Sequence, residues 1–250
     1  MIITTNHAAV RELRLSRPPA NALSPELIVA LKHAVEAAPN DGARALVLSG
    51  TPGMFSGGLD VPLLLTLDRP TMAQVWRDFY FLLRALACSP IPIAAAITGH
   101  GPAGGTVLAL FCDWRGMAEG DWKMGFNEVQ VGIPLPPVIL SALKRQIGAR
   151  QAERLGTGGL VVSAAEAARL GLVDELIPVE GVVDRAVAWC QTLLALPPQA
   201  MAATRRNARA DLASLFDHIE DELAEVIVTW WSDETQTVLR ALAAKLAKKK

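Results

Sequence analysis

Two buried strands of this chain are each predicted to end in a glycine-rich turn. The apolar run 43–49 leads to the segment Gly53–Asp60, and the apolar run 91–98 leads to Gly99–Gly105. Glycine allows a ligand to approach the backbone closely, and the first turn of a helix leaves N–H groups free. Either turn alone could equally be a tight connection that binds nothing. Together they predict two backbone donors that converge on one oxygen atom, as an oxyanion site requires.

The order of the segments predicts an α/β chain with a helical C-terminal region. Before Pro134 strands alternate with helices, one of which begins at Ser24 and Pro25, a capping residue followed by proline. After Pro134 one strand is predicted at 173–177, and helices dominate. These helices are predicted at 137–147, 149–156, 163–170, 181–195, 198–212 and, with a break, 215–246. We therefore expect a core over residues 1–195 and a helical region over 196–250.

Two apolar stripes on predicted helices each have two interpretations. Trp230 and Leu242 belong to a stripe on the last helices that either meets a partner surface or packs on the core of the chain itself. A helix from Thr71 to just before Pro90 carries the second stripe, which forms either core or the wall of a ligand pocket. Its members are Trp76, Phe79, Tyr80 and Leu83.

A third segment places a carboxylate in apolar surroundings. Glu128 lies within residues 123–134, most of which are apolar. Apolar surroundings raise the pKa of a carboxyl group because desolvation disfavours its charged form. A raised pKa suits a general base that works near neutral pH. The alternative is a solvent-facing glutamate on a short turn.

Composition excludes several classes of partner. Lys and Arg total 24 and Asp and Glu total 25, so a net charge of -1 gives no broad field for nucleic acid or an anionic membrane. Pro, Gly or charge interrupts every apolar run before the ~18 residues of a membrane span. Cys88, Cys112 and Cys190 lack metal-ligand spacing, and we expect buried free thiols in a reducing compartment. The first residues do not form a secretory signal, so we expect a cytoplasmic protein.

With these three segments identified, the chain resembles the crotonase superfamily, also called the enoyl-CoA hydratase/isomerase family. The resemblance is carried by residues 55–60, by 101–105 with Cys112 and Asp113 behind them, by 127–128 and by 164–174. It implies a spiral of ββα units, a helical C-terminal trimerisation region, and trimers or dimers of trimers. It also implies a coenzyme A thioester as substrate, with no metal or separate cofactor.

The resemblance also assigns roles to individual residues. The two oxyanion-hole amides of the family fall on Leu59 and Gly104, and its catalytic carboxylate falls on Glu128. Gly57 stands where the family usually has alanine, a departure that we expect to loosen this turn. The remaining residues assigned to substrate binding are Ala20, Ala22, Ser56, Gly58, Asp60, Val107 and Asn127.

The catalytic side chains favour one reaction of the family. Its hydratases use two glutamates, and here one of those positions is Val107 and the other is Glu128. A single base suffices to move the double bond of a 3-enoyl-CoA to give 2-trans-enoyl-CoA, a step of fatty acid degradation. The segment Asn127–Pro137 is similar to that of mitochondrial-type 3,2-trans-enoyl-CoA isomerases. The alternatives are a hydratase, a thioester hydrolase, a decarboxylase or a non-catalytic acyl-CoA-binding subunit. His100, beside the second turn, is predicted to be structural.

Overall fold

The computed structural model describes residues 1–247, so the last three residues of the predicted C-terminal region lie outside it. The strands within this range are β1 (Ile2–His7), β2 (Val10–Leu15), β3 (Ala45–Ser49), β4 (Gly53–Met54), β5 (Ile93–Ile97), β6 (Gly99–Pro102), β7 (Trp114–Ala118), β8 (Lys123–Gly125), β9 (Val161–Ser163) and β10 (Glu175–Ile177). The helices are α1 (Pro25–Ala37), α2 (Val61–Leu64), α3 (Arg69–Cys88), α4 (Gly104–Leu110), α5 (Pro137–Ile147), α6 (Ala149–Gly158), α7 (Ala164–Leu170), α8 (Val182–Leu194), α9 (Pro198–Ala208), α10 (Ala210–Ser214), α11 (Ile219–Trp230) and α12 (Asp233–Ala247).

The strands form two sheets that the chain visits in turn. The larger sheet has the order β1-β2-β3-β5-β7-β10, and the smaller has the order β4-β6-β8-β9. Apart from the antiparallel pair β1–β2, the strands of the larger sheet pair in parallel. Each of the pairs β3–β4, β5–β6 and β7–β8 gives one strand to each sheet and is followed by a helix. The predicted α/β class and spiral of ββα units are therefore confirmed.

Local signals account for several helix boundaries. The Ser24 hydroxyl accepts a hydrogen bond from the Leu27 N–H, and Pro25 takes the first helical position of α1. Helix α5 spans the predicted residues 137–147, from a proline at its start to Gly148, which has a φ of +78°. Such a positive φ is one that glycine adopts without steric cost, and it ends the helix.

Three expectations from the sequence are wrong in detail. The predicted turn Gly99–Gly105 contains strand β6, which pairs with β4 so closely that a Cβ on Gly99 would lie 2.0 Å from the Gly53 carbonyl carbon. A second strand after Pro134, β9, was not predicted, and it pairs antiparallel with β8. Cys88 is exposed in the last turn of α3, although Cys112 and Cys190 are buried free thiols as expected.

A buried ionic cluster fastens the C-terminal helices to the core. Asp113, whose side chain is 10% exposed, pairs with Arg205 at 2.8 Å and with Arg209 at 3.2 Å. The apolar stripe of the last helices packs largely on the chain's own core, where Trp230 is 1% exposed. Helix α8 ends at Leu194 and α9 begins at Pro198, and the division at residue 195 stays a prediction. No helix of residues 1–247 combines the length and apolar character that a membrane crossing needs.

Candidate active site

The two glycine-rich turns meet at one point of the molecule. Gly58 has a φ of +84°, and a Cβ there would lie 2.9 Å from both the Ala103 Cβ and the Gly104 nitrogen. A Cβ on Gly104 would in turn lie 3.1 Å from the Gly58 Cα. The two backbones therefore touch where both residues lack a side chain. This contact explains why glycine is required at both positions.

The hydrogen bonds around these turns leave two donors free. Leu23 N–H donates to the Gly58 carbonyl and Asp60 N–H donates to the Leu23 carbonyl, which fixes the backbone on either side of Leu59. Ala103 has a φ of +50° and is held by its N–H bond to the Gly125 carbonyl. Within residues 1–247 neither Leu59 N–H nor Gly104 N–H has a protein acceptor. Both residues line the same cavity, so both amides can serve a bound oxygen atom.

The cavity beside the two turns has a volume of about 240 Å³ and mostly apolar walls. The residues that line it are Gly57, Leu59, Val61, Trp76, Phe79, Ala103, Gly104, Val107, Asn127, Glu128, Val131, Ile133, Pro136, Ile139, Leu242 and Leu246. The structure thus brings together five residues assigned from the sequence: Leu59, Gly104, Val107, Asn127 and Glu128. Of the described lining residues, Glu128 is the one with a carboxylate.

Glu128 sits at the start of the 3₁₀ turn Val129–Val131. Its Oε2 atom is shielded from solvent and has no hydrogen-bond partner among residues 1–247. Burial raises the pKa of this carboxyl to about 7, and a backbone hydrogen bond at Glu128 itself lowers it only in part. A carboxyl group with this pKa can both accept and return a proton at neutral pH.

Val107 and the aromatic stripe complete the apolar walls. Val107, on α4, is 1% exposed and lines the cavity. The stripe on α3 divides, because Trp76 and Phe79 line the cavity whereas Tyr80 and Leu83 are buried core residues. Trp76 and Phe79 therefore fit the interpretation as a pocket wall, and Tyr80 and Leu83 fit the interpretation as core.

The other residues assigned to substrate binding lie next to the cavity and not in its lining. Ser56 is fully buried, and its hydroxyl donates to the Asn21 carbonyl and accepts from the Gly58 N–H. Asp60 pairs with Arg17 at 2.7 Å and caps α2. The Ala20 carbonyl accepts a hydrogen bond from the Gly57 N–H, and the Ala22 carbonyl accepts one from the Arg17 guanidinium. In the structure these four residues shape the first glycine turn.

Sequence reasoning missed part of the lining. The cavity residues that it did not assign are Val61, Ala103, Val131, Ile133, Pro136, Ile139 and Leu246, while Leu242 was assigned only to an apolar stripe. The spacing of Leu242 and Leu246 on one helix face was an available signal. His100 accepts a hydrogen bond from Lys123 N–H at 3.2 Å and contacts Trp122 edge to face, in agreement with a structural role. Residues 1–247 contain no group of three or more His, Cys, Asp and Glu arranged to hold a metal.

Comparison with known proteins agrees with this geometry. Residues 5–229 match the family model described as enoyl-CoA hydratase/isomerase. The mitochondrial enoyl-CoA delta isomerase 1 of Mus musculus is 33% identical over 100% of this chain and 88% of its own length. A Mycobacterium avium protein named probable enoyl-CoA hydratase is 37% identical over 81% of this chain and 79% of its own.

Solved structures give the same result. The crystal structure of human mitochondrial delta3-delta2-enoyl-CoA isomerase superposes with a TM-score of 0.94 and 30% identity, covering 100% of this chain and 99% of the human one. An enoyl-CoA hydratase/isomerase from Mycobacterium paratuberculosis superposes with a TM-score of 0.88 and 25% identity, over 96% of this chain and 97% of its own. The family model covers most of the chain and the relatives exceed 30% identity over nearly all of it, so this protein belongs to the enoyl-CoA hydratase/isomerase family.

Proposed function

We propose that this enzyme moves the double bond of a 3-enoyl-CoA to give 2-trans-enoyl-CoA, with Glu128 as its single acid and base. The observation that carries the proposal is one carboxylate, with a pKa of about 7 and an Oε2 atom that has no partner among residues 1–247, in a cavity whose other walls are nearly all apolar. Membership of the family supplies the acyl-CoA substrate class. The mouse and human relatives named as enoyl-CoA isomerases support the choice of reaction.

The reaction needs one proton to move between two carbon atoms. The α-carbon of a 3-enoyl-CoA lies between the thioester and the alkene, so its C–H bond is acidic. The Glu128 carboxylate takes this proton, and the negative charge spreads to the thioester oxygen. Leu59 N–H and Gly104 N–H would stabilise that oxygen, at about 3–4 kcal/mol for each donor. Glu128 then returns the same proton to the γ-carbon, and the double bond forms between the α- and β-carbons.

Val107 supports isomerisation over hydration. Hydration adds a water molecule across the double bond. The enzyme must hold this water, take a proton from it and deliver a proton to carbon. By the family resemblance a second glutamate would share that task at the position of Val107. A buried valine there can neither hold water nor transfer a proton. Hydration is nevertheless the second candidate, because the Mycobacterium avium relative carries that name.

Other features of the family are part of the same proposal. The isomerisation is a proton transfer, so the proposed reaction requires no metal, nucleotide or redox cofactor. We further propose that the protein works as a cytoplasmic homotrimer or as a dimer of trimers in fatty acid degradation. Sedimentation or light scattering of the purified protein would test the proposed oligomer.

A substrate panel tests the proposed reaction. Wild type and Glu128→Gln are assayed on 3-enoyl-CoA thioesters and on crotonyl-CoA, with product identified by its ultraviolet absorbance and by mass. We expect isomerisation by the wild type, a large loss in Glu128→Gln and slow hydration. Fast hydration of crotonyl-CoA without isomerisation would replace the proposal with the hydratase. Binding of these thioesters with no turnover of any kind would favour the non-catalytic acyl-CoA-binding subunit.

A further inference from the structure

The last helix of the chain forms one wall of the candidate active-site cavity. Leu242 and Leu246 lie four residues apart, hence on one face of α12, and both line the cavity. Helix α12 also contacts α2 and the 3₁₀ turn Val129–Val131. Val61 of α2 and Val131 of the turn are themselves cavity residues. The helix therefore spans the cavity between two of its other walls.

The first half of α12 is fixed more firmly than its end. Thr235 is 1% exposed, and its hydroxyl donates to the Gly132 carbonyl in the segment that follows Glu128. Leu239 is fully buried in the core. By contrast Leu246 is 42% exposed although it lines the cavity, so it marks the place where the cavity meets solvent.

The cavity volume limits what can enter. The cavity of about 240 Å³ is bounded on one side by Leu242 and Leu246. Some of this space lies beside Leu59 and Gly104, where a thioester carbonyl would sit. Beyond Asn127 and Glu128 the walls are glycine, hydrocarbon and aromatic groups. A polar substituent on the acyl chain would lose its hydration there and would find few hydrogen-bond partners to replace it.

We propose that the enzyme selects unsubstituted acyl chains up to a limiting length, and that Leu242 and Leu246 set this limit. Within this length, each additional methylene that leaves water raises the affinity for the acyl-CoA about fourfold. Longer chains must displace Leu246 or the end of α12, and the gain stops. The inference rests on the proposed function only for the ligand, an acyl-CoA.

Binding of saturated acyl-CoA thioesters tests the limit without any reaction. Affinities of butanoyl- to hexadecanoyl-CoA are measured by calorimetry for wild type, Leu242→Ala and Leu246→Ala. In the wild type we expect a steep rise that ends at a definite chain length, shorter than that of hexadecanoyl-CoA. Each leucine-to-alanine change empties a volume equal to about three carbon atoms, so the end of the rise should move by about two to three carbons.

Leu239→Ala is the matched control, because it removes the same atoms from the same helix at a position outside the cavity lining. We expect it to lower the Tm and to leave the chain-length profile unchanged. The inference is overturned if wild-type affinity still rises fourfold per methylene up to hexadecanoyl-CoA. It is also overturned if Leu242→Ala and Leu246→Ala keep the wild-type profile, or if Leu239→Ala shifts it equally. The expected chain-length dependence of affinity, found in a protein that isomerises no 3-enoyl-CoA, would refute the proposed reaction and leave this inference in place.

Discussion

Two carboxylates of this molecule, Asp113 and Glu128, are largely shielded from solvent but differ in their hydrogen-bond partners. Asp113 accepts hydrogen bonds from the Ile93 N–H and from Arg205, and it also pairs with Arg209. Glu128 has an Oε2 atom with no partner among residues 1–247. Asp113 directly precedes strand β7, whereas Glu128 follows strand β8. They differ in whether the fold supplies hydrogen-bond and ion-pair partners to the carboxylate.

The difference separates a region that holds the molecule together from one that is left ready to react. The Asp113 carboxylate is paired with Arg205 and Arg209, and these pairs fasten the C-terminal helices to the core. Around the cavity, the Glu128 Oε2 atom and the N–H groups of Leu59 and Gly104 have no hydrogen-bond partner among residues 1–247. Unpaired polar groups reduce stability unless a ligand completes them. We therefore expect changes near Asp113 to affect stability, and changes near the cavity to affect activity.

Replacement of the unpaired carboxylate should have the largest effect. Glu128→Gln keeps the shape of the side chain and removes the base, so we expect kcat for 3-enoyl-CoA isomerisation to fall by about 10²–10⁴-fold. The variant should be no less stable than the wild type, because a neutral amide is less costly to bury than a carboxylate. Steady-state kinetics and urea unfolding measure the two effects. Full activity of Glu128→Gln, or a marked loss of its stability, would mean that Glu128 does not differ from Asp113 in the way proposed.

Replacement of the paired carboxylate should have the converse effect. Asp113→Asn leaves the buried Arg205 and Arg209 without their counter-charge, and we expect the free energy of unfolding to fall by roughly 3–5 kcal/mol. The kcat of the protein that remains folded should stay close to that of the wild type. Denaturant unfolding and active-site-normalised kinetics check both statements.

Asp211 offers a matched control for this change. It also pairs with an arginine, Arg145, at 2.8 Å, but its side chain is 63% exposed. Surface pairs of this kind contribute about 0–1 kcal/mol. Asp211→Asn should therefore cost far less stability than Asp113→Asn. Equal losses in the two variants would mean that burial of the Asp113 cluster contributes nothing.

A change in the glycine contact should have a smaller effect that again falls on activity. Gly58→Ala would place a Cβ 2.9 Å from the Gly104 nitrogen and push the two turns apart. We expect kcat to fall by about 10–10²-fold, because a displacement of this size misaligns the donors. Gly42→Ala is the control, since Gly42 has a φ of +86° but no neighbour within 4 Å of its Cβ position. Gly58→Ala should lose more stability than Gly42→Ala, because it adds a steric clash to the same backbone strain. A similar loss of activity in both variants would contradict the proposed role of the contact.

The comparison also shows which parts of the molecule could be predicted from the sequence. Helix α5 and the two glycine turns were predictable, because prolines and glycines act on the backbone locally. That Glu128 lies among apolar residues was visible in its neighbours along the chain. The two partners of Asp113 were not visible, since Arg205 and Arg209 follow it by more than 90 residues.

Parts that depend on tertiary contacts could not be predicted. Half of the residues in the short strands β4 and β6 are glycine, and these strands are held by the pairing of β6 with β4 and with β8. The helical spacing of Trp76 and Phe79 could not separate them from Tyr80, since all three are on buried faces of α3. In the same way the pattern on α12 identified an apolar face but not the cavity that Leu242 completes.

The remaining predictions concern pH. The Glu128 base must be ionised to accept a proton, so kcat/KM for isomerisation should rise about tenfold per pH unit below its pKa of about 7 and level off above it. A pH–rate profile of the wild type measures this dependence. A profile that is flat between pH 5 and pH 8 would mean that another group takes the proton.

The same carboxyl should make stability depend on pH. Its pKa in the folded protein is about 7, above the ordinary value of 4.5, so between these values the folded state keeps a proton that the unfolded state releases. The contribution of Glu128 to stability therefore falls as pH rises from about 4.5 to 7, by roughly 1–3 kcal/mol, and is constant outside this window. Urea unfolding of wild type and Glu128→Gln at pH 5 and pH 8 isolates this contribution. The amide variant should gain relative to the wild type at pH 8, and an equal difference at both pH values would mean that the unpaired carboxylate costs the fold nothing.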